Sequence, residues 1–185
     1  MAIKSHKMKT YNQKYPIGQF EKPAVITPTI WAEWMATISA FPDNISKEVE
    51  NLSKQKLDTI YREDGWTVRQ LVHHCADSHM NAFIRFKLAL TEDSPTIKPY
   101  FENLWAELPD GKAGPVDTSL DILKGLHSRW IYLLKSLSEN DLQRTYIHPE
   151  HGQHIRLEEA VGMYSWHCRH HLAHITTLKK IKNWT

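Results

Sequence analysis

The sequence predicts an all-α protein built as a four-helix bundle. Three observations lead there: four long stretches keep apolar residues three or four positions apart, strand-like alternation is nearly absent, and prolines and glycines cluster between the periodic stretches. With 185 residues, 41% hydrophobic and 24% charged, the chain can bury a sizeable core and is expected to form a single domain over 1–185.

Residues 1–27 mix Lys, Tyr, Pro and Gly without a period, which predicts an arm along the surface. The first helix follows from Ile30, Trp31, Trp34, Met35 and Ile38; Pro42 is expected to break it, with Ile45, Val49 and Leu52 in a second piece. Thr67-Val68-Arg69-Gln70 has the spacing of a capping box and starts the second helix, which runs to about Leu90. Residues 91–117 hold Pro95, Pro99, Pro109, Gly111, Gly114 and Pro115, a connection longer than a helical hairpin needs and able to cover one end of a bundle. The third helix, capped by Asp117 or Thr118, carries Ile122, Leu123, Leu126, Trp130, Leu133, Leu134 and Leu137 to about Ser138. Tyr146 to Ile155, with Pro149 and Gly152 at the turn, predicts a short hairpin. The fourth helix spans about Leu157 to Ile181 and ends among Lys179, Lys180 and Lys182, which suit a helix C-terminus.

The charge balance removes some partners. Twenty-three Lys and Arg against 21 Asp and Glu leave +2, so no global field draws the chain to nucleic acid or an anionic membrane. No apolar run approaches about 18 residues, which argues against a membrane span. The basic start lacks an apolar segment after it and does not resemble a secretory signal, so a cytoplasmic protein is expected. Cys75 and Cys168, each inside a helix, read as reduced thiols filling the core.

Twelve histidines are the unusual entry, and seven fall in two windows: His73, His74 and His79 on the second helix, and His167, His170, His171 and His174 on the fourth. Residues four apart on a helix project from one face, so two imidazoles can share an ion. The fourth helix offers two such pairs. Ala160, Tyr164, His167, His171, Ile175 and Leu178 form one otherwise apolar stripe, which favours His167 and His171 over His170 and His174, placed nearer Thr177 and Lys180. On the second helix, Val68, Val72, Cys75, His79, Phe83, Phe86 and Leu90 make the apolar seam, and beside it runs the row Leu71, His74, Ser78, Asn81 and Arg85. A polar row next to the core is where a site belongs, so His74 is the third expected ligand. His73 shares a face with Gln70, Asp77 and Lys87 and is expected to be solvated. Three imidazoles leave coordination positions open, as in catalytic zinc sites; Zn²⁺ is the default ion and Ni²⁺, Fe²⁺ and Mn²⁺ also accept imidazole. Asn81 and Arg85 are candidate substrate contacts, although Arg85 lies about 16 Å along the helix from His74 and an inter-helix ion pair competes for it. His148, His151 and His154 read as surface residues of the turn.

The stretch Gly65-Trp66-Thr67-Val68-Arg69-Gln70-Leu71-Val72-His73-His74-Cys75-Ala76-Asp77-Ser78-His79-Met80-Asn81, followed by Arg85-Phe86-Lys87, resembles the helix signature of the DinB/YfiT-like metalloenzymes, in their YfiT branch. Tyr15-Pro16-Ile17-Gly18, His148-Pro149 and the His167 to His174 cluster extend the resemblance over most of the chain. The family's ligands map to His74, His167 and His171, and Cys75 replaces its usual Leu. The resemblance implies a DinB/YfiT-like four-helix bundle, a homodimer, one Zn²⁺ or Ni²⁺ per subunit, a small-molecule substrate and metal-dependent hydrolysis. Related members resemble S-transferases that use bacillithiol or another low-molecular-weight thiol, and this is the alternative; a non-catalytic metal-binding stress protein is a third. No catalytic acid or base is evident beside the three histidines, since Asp77 leans toward the solvated face.

Overall fold

The computed structural model describes residues 13–150 and 152–184; His151 and the first twelve residues of the arm lie outside the described residues. Four long helices make the bundle: α1 (Pro28–Val49), α3 (Val68–Thr91), α6 (Val116–Ser136) and α8 (Leu157–Lys182). Short helices α2 (Lys54–Leu57), α4 (Glu102–Ala106), α5 (Pro109–Ala113) and α7 (Glu139–Gln143) occupy the connections, and strands β1 (Thr145–His148) and β2 (Gln153–Arg156) pair before α8. Helix α1 packs on α6 and α8, and α3 packs on the same two helices from the other side. Trp130, Phe41, Phe86, Ile38, Leu71, Leu123 and Ile175 fill the space between them.

Most helix limits follow from local chemistry. Thr67 caps α3 as expected: its hydroxyl accepts from the Gln70 N–H, and the Gln70 side chain accepts from the Thr67 N–H. Helix α6 begins earlier than expected, at Val116 after Pro115, with no side-chain cap. The hairpin is present, antiparallel with Tyr146 opposite Ile155, and Gly152 supplies the positive φ of its turn. Strand β1 also bonds to the chain after α3, through Ile147 N–H to Pro95 and Ile97 N–H to Ile147, while Arg144 donates to the Ala89 carbonyl near the end of α3. These bonds hold the hairpin against the bundle.

Pro42 does not break the first helix. Helix α1 runs through it, with Pro42 buried in the interior. A proline leaves the carbonyl four residues earlier without its usual N–H donor, and here that carbonyl, Ile38, accepts a 2.6 Å bond from His127 Nδ1 on α6. A side chain from a neighbouring helix thus replaces the missing backbone donor.

The segment 91–117 folds over one end of the bundle, with α4 and α5 packed on α3. The described part of the arm runs along α8: the Gly18 carbonyl accepts from Trp166 Nε1, and Lys22 pairs with Glu159 at 2.8 Å. Among the described residues no helix is long and apolar enough to cross a membrane.

Candidate metal centre

His74 comes from α3, and His167 and His171 come from successive turns of α8. Their ligand nitrogens lie within 4.8 Å of one another. His167 Nε2 is 3.3 Å from His74 Nε2 and 3.1 Å from His171 Nε2. Nitrogens held about 2.0–2.1 Å from one tetrahedral ion stand about 3.3 Å apart, so this spacing fits a divalent ion. The electrostatics fit as well. Burial, with the neighbouring histidines adding to it, lowers the His74 ring to about 3 and holds His167 and His171 well below the usual histidine range. Neutral imidazoles keep a lone pair for a cation at neutral pH.

All three histidines line one cavity, and His167 also borders two others. The shared one, of about 260 Å³, opens between the arm and the 61–66 turn and is walled by Tyr61, Arg62 and Trp66, with Glu102 at its rim. Another, of about 600 Å³, lies under the 99–104 stretch beside Ser78, Arg85, Glu102 and His148. A third, of about 210 Å³, is apolar and lies toward the hairpin, against Phe20, Tyr146 and Met163. The long connection therefore roofs the site, and sequence reasoning had no signal for Glu102, Tyr100 or Trp66 in its walls. The Glu102 carboxyl is raised above its ordinary range, first by desolvation and then by Glu150.

Of the two candidate substrate contacts, only Arg85 lines these cavities. Its side chain reaches back to the wall near His167 and makes no ion pair among the described residues. The Asn81 amide instead donates to the Asp77 carbonyl one turn earlier on its own helix. Ser78, from the same row, brings its hydroxyl to 3.4 Å from His167 Nε2.

His73, expected at solvent, is buried, and so are His170 and His174. His73 ties α3 to the α5–α6 region, with Nε2 donating to the Gly114 carbonyl at 3.2 Å and Nδ1 accepting from the Ser119 hydroxyl at 2.7 Å. His170 and His174 meet through their Nε2 atoms at 3.2 Å, His170 stacked on Trp166 and His174 beside Tyr61. For His73, the distant residues Gly114 and Ser119 cover the face that Gln70, Asp77 and Lys87 mark as exposed. His148 joins the cavity wall rather than open solvent, while His154 stays exposed near Thr145. Cys75 and Cys168 are buried, and burial pushes both thiols far up.

Comparison with known proteins places this geometry in a family. The model of the DinB superfamily matches residues 37–175. A protein of Bacillus cereus strain 03BB102 named "Putative metal-dependent hydrolase" is 54% identical over 171 residues, covering 92% of this chain and 98% of that protein. A Bacillus mycoides protein described in the same words is 53% identical with the same coverage. The solved structure of YfiT from Bacillus subtilis, described as "a probable metal-dependent hydrolase with an unusual four-helix bundle topology", superposes with a TM-score of 0.91 at 44% identity, over 94% of this chain and 99% of that one. The chain belongs to the DinB superfamily and has the four-helix bundle of its YfiT neighbour.

Proposed function

We propose that His74, His167 and His171 hold one divalent ion, Zn²⁺ by default with Ni²⁺ as the alternative, and that the chain is a metal-dependent hydrolase of a small molecule. The observation that carries this reading is the convergence of three neutral Nε2 atoms, spaced for one ion, on the wall of one cavity, with His167 bordering two more. Such an ion supplies Lewis-acid activation of water or of a polarised substrate bond at neutral pH. The names of the 54%-identical relatives point to the same class of reaction.

The chain's own residues provide the rest. Arg85 offers a fixed cation, suited to orienting an anionic or carbonyl-bearing substrate in the cavity beside His167. Glu102, with its raised pKa, borders both larger openings and serves as the proton acceptor that hydrolysis needs. Tyr100 and Tyr164 contribute phenols that burial keeps protonated, able to donate but not to act as bases.

One observation favours thiol S-transfer as a second reading. Separate cavities reach His167 from different sides, which suits two substrates entering independently. The thiol would be exogenous, because Cys75 and Cys168 are sealed in the core. Open cavities at the triad also weigh against a purely sequestering role.

Metal analysis of the purified chain and of His74→Ala, His167→Ala and His171→Ala tests the ligand set. One ion per chain in the wild type and loss in each variant is expected, and full retention in all three overturns it. Assay of the loaded protein on ester, amide and epoxide probes, with and without a small thiol, then separates the reactions. Turnover only with thiol rejects hydrolysis.

A further inference from the structure

Two buried histidines outside the triad, His79 on α3 and His127 on α6, stand in line with it. The line begins at Ile38 on α1, whose carbonyl Pro42 cannot serve. A carbonyl only accepts, so His127 Nδ1, 2.6 Å away, carries the proton. Both rings are fully buried and bond only to imidazoles and a carbonyl, with no carboxylate to balance a charge, so each is neutral and holds a single N–H. With its proton on Nδ1, His127 presents a bare Nε2, which accepts from His79 Nδ1 at 2.8 Å. His79 Nε2 is then bare and accepts from His167 Nδ1 at 3.0 Å. His167 is left with its lone pair on Nε2, the atom that faces His74 and His171. Each tautomer follows from the one before. The line takes one group from each of the four long helices.

We propose that His79 and His127 are positioning residues that, anchored on the Ile38 carbonyl, fix the tautomer and ring orientation of His167 so that its Nε2 is permanently open to the metal. This rests on the triad being the metal centre and deepens that reading. A hydrogen bond to the far nitrogen of a ligating imidazole sets which nitrogen is free and raises its basicity. Here the acceptor is itself an imidazole whose polarity is imposed from two helices away. His171 has no such support, since its Nδ1 is buried without a partner among the described residues. His167 is therefore the anchored ligand of the three. The arrangement also gives Pro42 a role: by withholding a backbone N–H it leaves the Ile38 carbonyl to His127.

The test begins on the wild-type, metal-free chain with ¹⁵N-labelled histidine, in which two-bond nitrogen–proton correlations identify the protonated nitrogen of each ring. His79, His127 and His167 are expected as Nδ1–H tautomers at pH 7.5, opposite to the preference of free neutral histidine. An Nε2–H tautomer at any of the three overturns the relay, and this outcome depends on no variant. The second arm measures zinc affinity by chelator competition. His127→Asn keeps a donor for the Ile38 carbonyl but offers no ring nitrogen to His79, and His79→Phe removes the link to His167. Losses of about 10- to 100-fold are expected, with helical circular dichroism unchanged. Unchanged affinity in both folded variants shows that the two rings only fill the core, and overturns the proposal. If zinc fails to bind the wild type or is retained by the triad variants, the metal-centre reading falls, and the function assigned to the relay falls with it. The tautomers would still report separately whether the hydrogen-bond line itself exists.

Discussion

Acid should unfold the metal-free protein well above the pH at which most helical proteins yield. Eight imidazoles have pKa values lowered by burial, and five of them, those of His74, His79, His127, His167 and His171, are the most deeply enclosed, His74 lowered to about 3 and His127 to about 4. In the unfolded chain the same rings titrate near 6.5. Below that value the unfolded state binds more protons than the native state, so stability is fully present above pH 6.5 and declines as pH falls toward the lowered folded values, about 3 for His74 and about 4 for His127. Between pH 6.5 and 5.5 each ring removes about 1 kcal/mol, and the five together remove about 5 kcal/mol, a large part of the 5–15 kcal/mol typical of a domain. Urea unfolding followed by tryptophan fluorescence and far-ultraviolet circular dichroism, with metal removed, should show the midpoint falling steeply from pH 7.5 through 6.5 to 5.5. A midpoint unchanged over that range would refute the reasoning, because it would mean that the rings are protonated in the native state or reach solvent without unfolding.

Two further expectations concern the packing around the site. A Cβ added at Gly162 on α8 would stand 2.6–2.9 Å from the indole of Trp34, where α8 crosses α1, so Gly162→Ala should overpack a rigid buried ring. Offset in part by the better helix propensity of alanine, the net loss should be about 1–2 kcal/mol, or about 2–8 °C in Tm by calorimetry; a rise in Tm would show that the ring yields freely. Cys75 and Cys168 should resist an aromatic disulfide reagent in the native protein and react on denaturation, because burial holds both thiols protonated. Rapid labelling of the folded chain would contradict this and would reopen a role for either thiol at the site.

The bundle was legible because each long helix carries an apolar stripe of the right period, and the start of α3 because its capping box is a purely local device. His74, His167 and His171 could be singled out because a polar row or pair beside an apolar seam is visible from one helix alone. His73 was misplaced for the same reason, and the burial of His170 and His174 could not be read. A helix face records only its own helix, while Gly114, Ser119 and Tyr61 arrive from elsewhere in the chain and bury these rings. Glu102 and His148 were out of reach on the same principle, since a 27-residue connection carries no period from which its path over the site can be read.

Pro42 shows how a local rule can fail and point to function in failing. The expectation of a broken helix assumes that the carbonyl four residues earlier must be served by the helix's own backbone or by water. His127 lies three residues before Trp130 and four after Leu123, within the buried stripe of α6, so its imidazole cannot reach water and needs an acceptor inside the core. The two deficits cancel: the carbonyl lacks a donor, the imidazole lacks an acceptor, and one 2.6 Å bond satisfies both. A buried polar group satisfied in this way is costly to disturb, because either partner alone is left stranded. Once that bond sets the polarity of His127, His79 and His167 have no freedom left in theirs. The continuity of α1 and the open nitrogen of His167 are thus two ends of one hydrogen-bonded line.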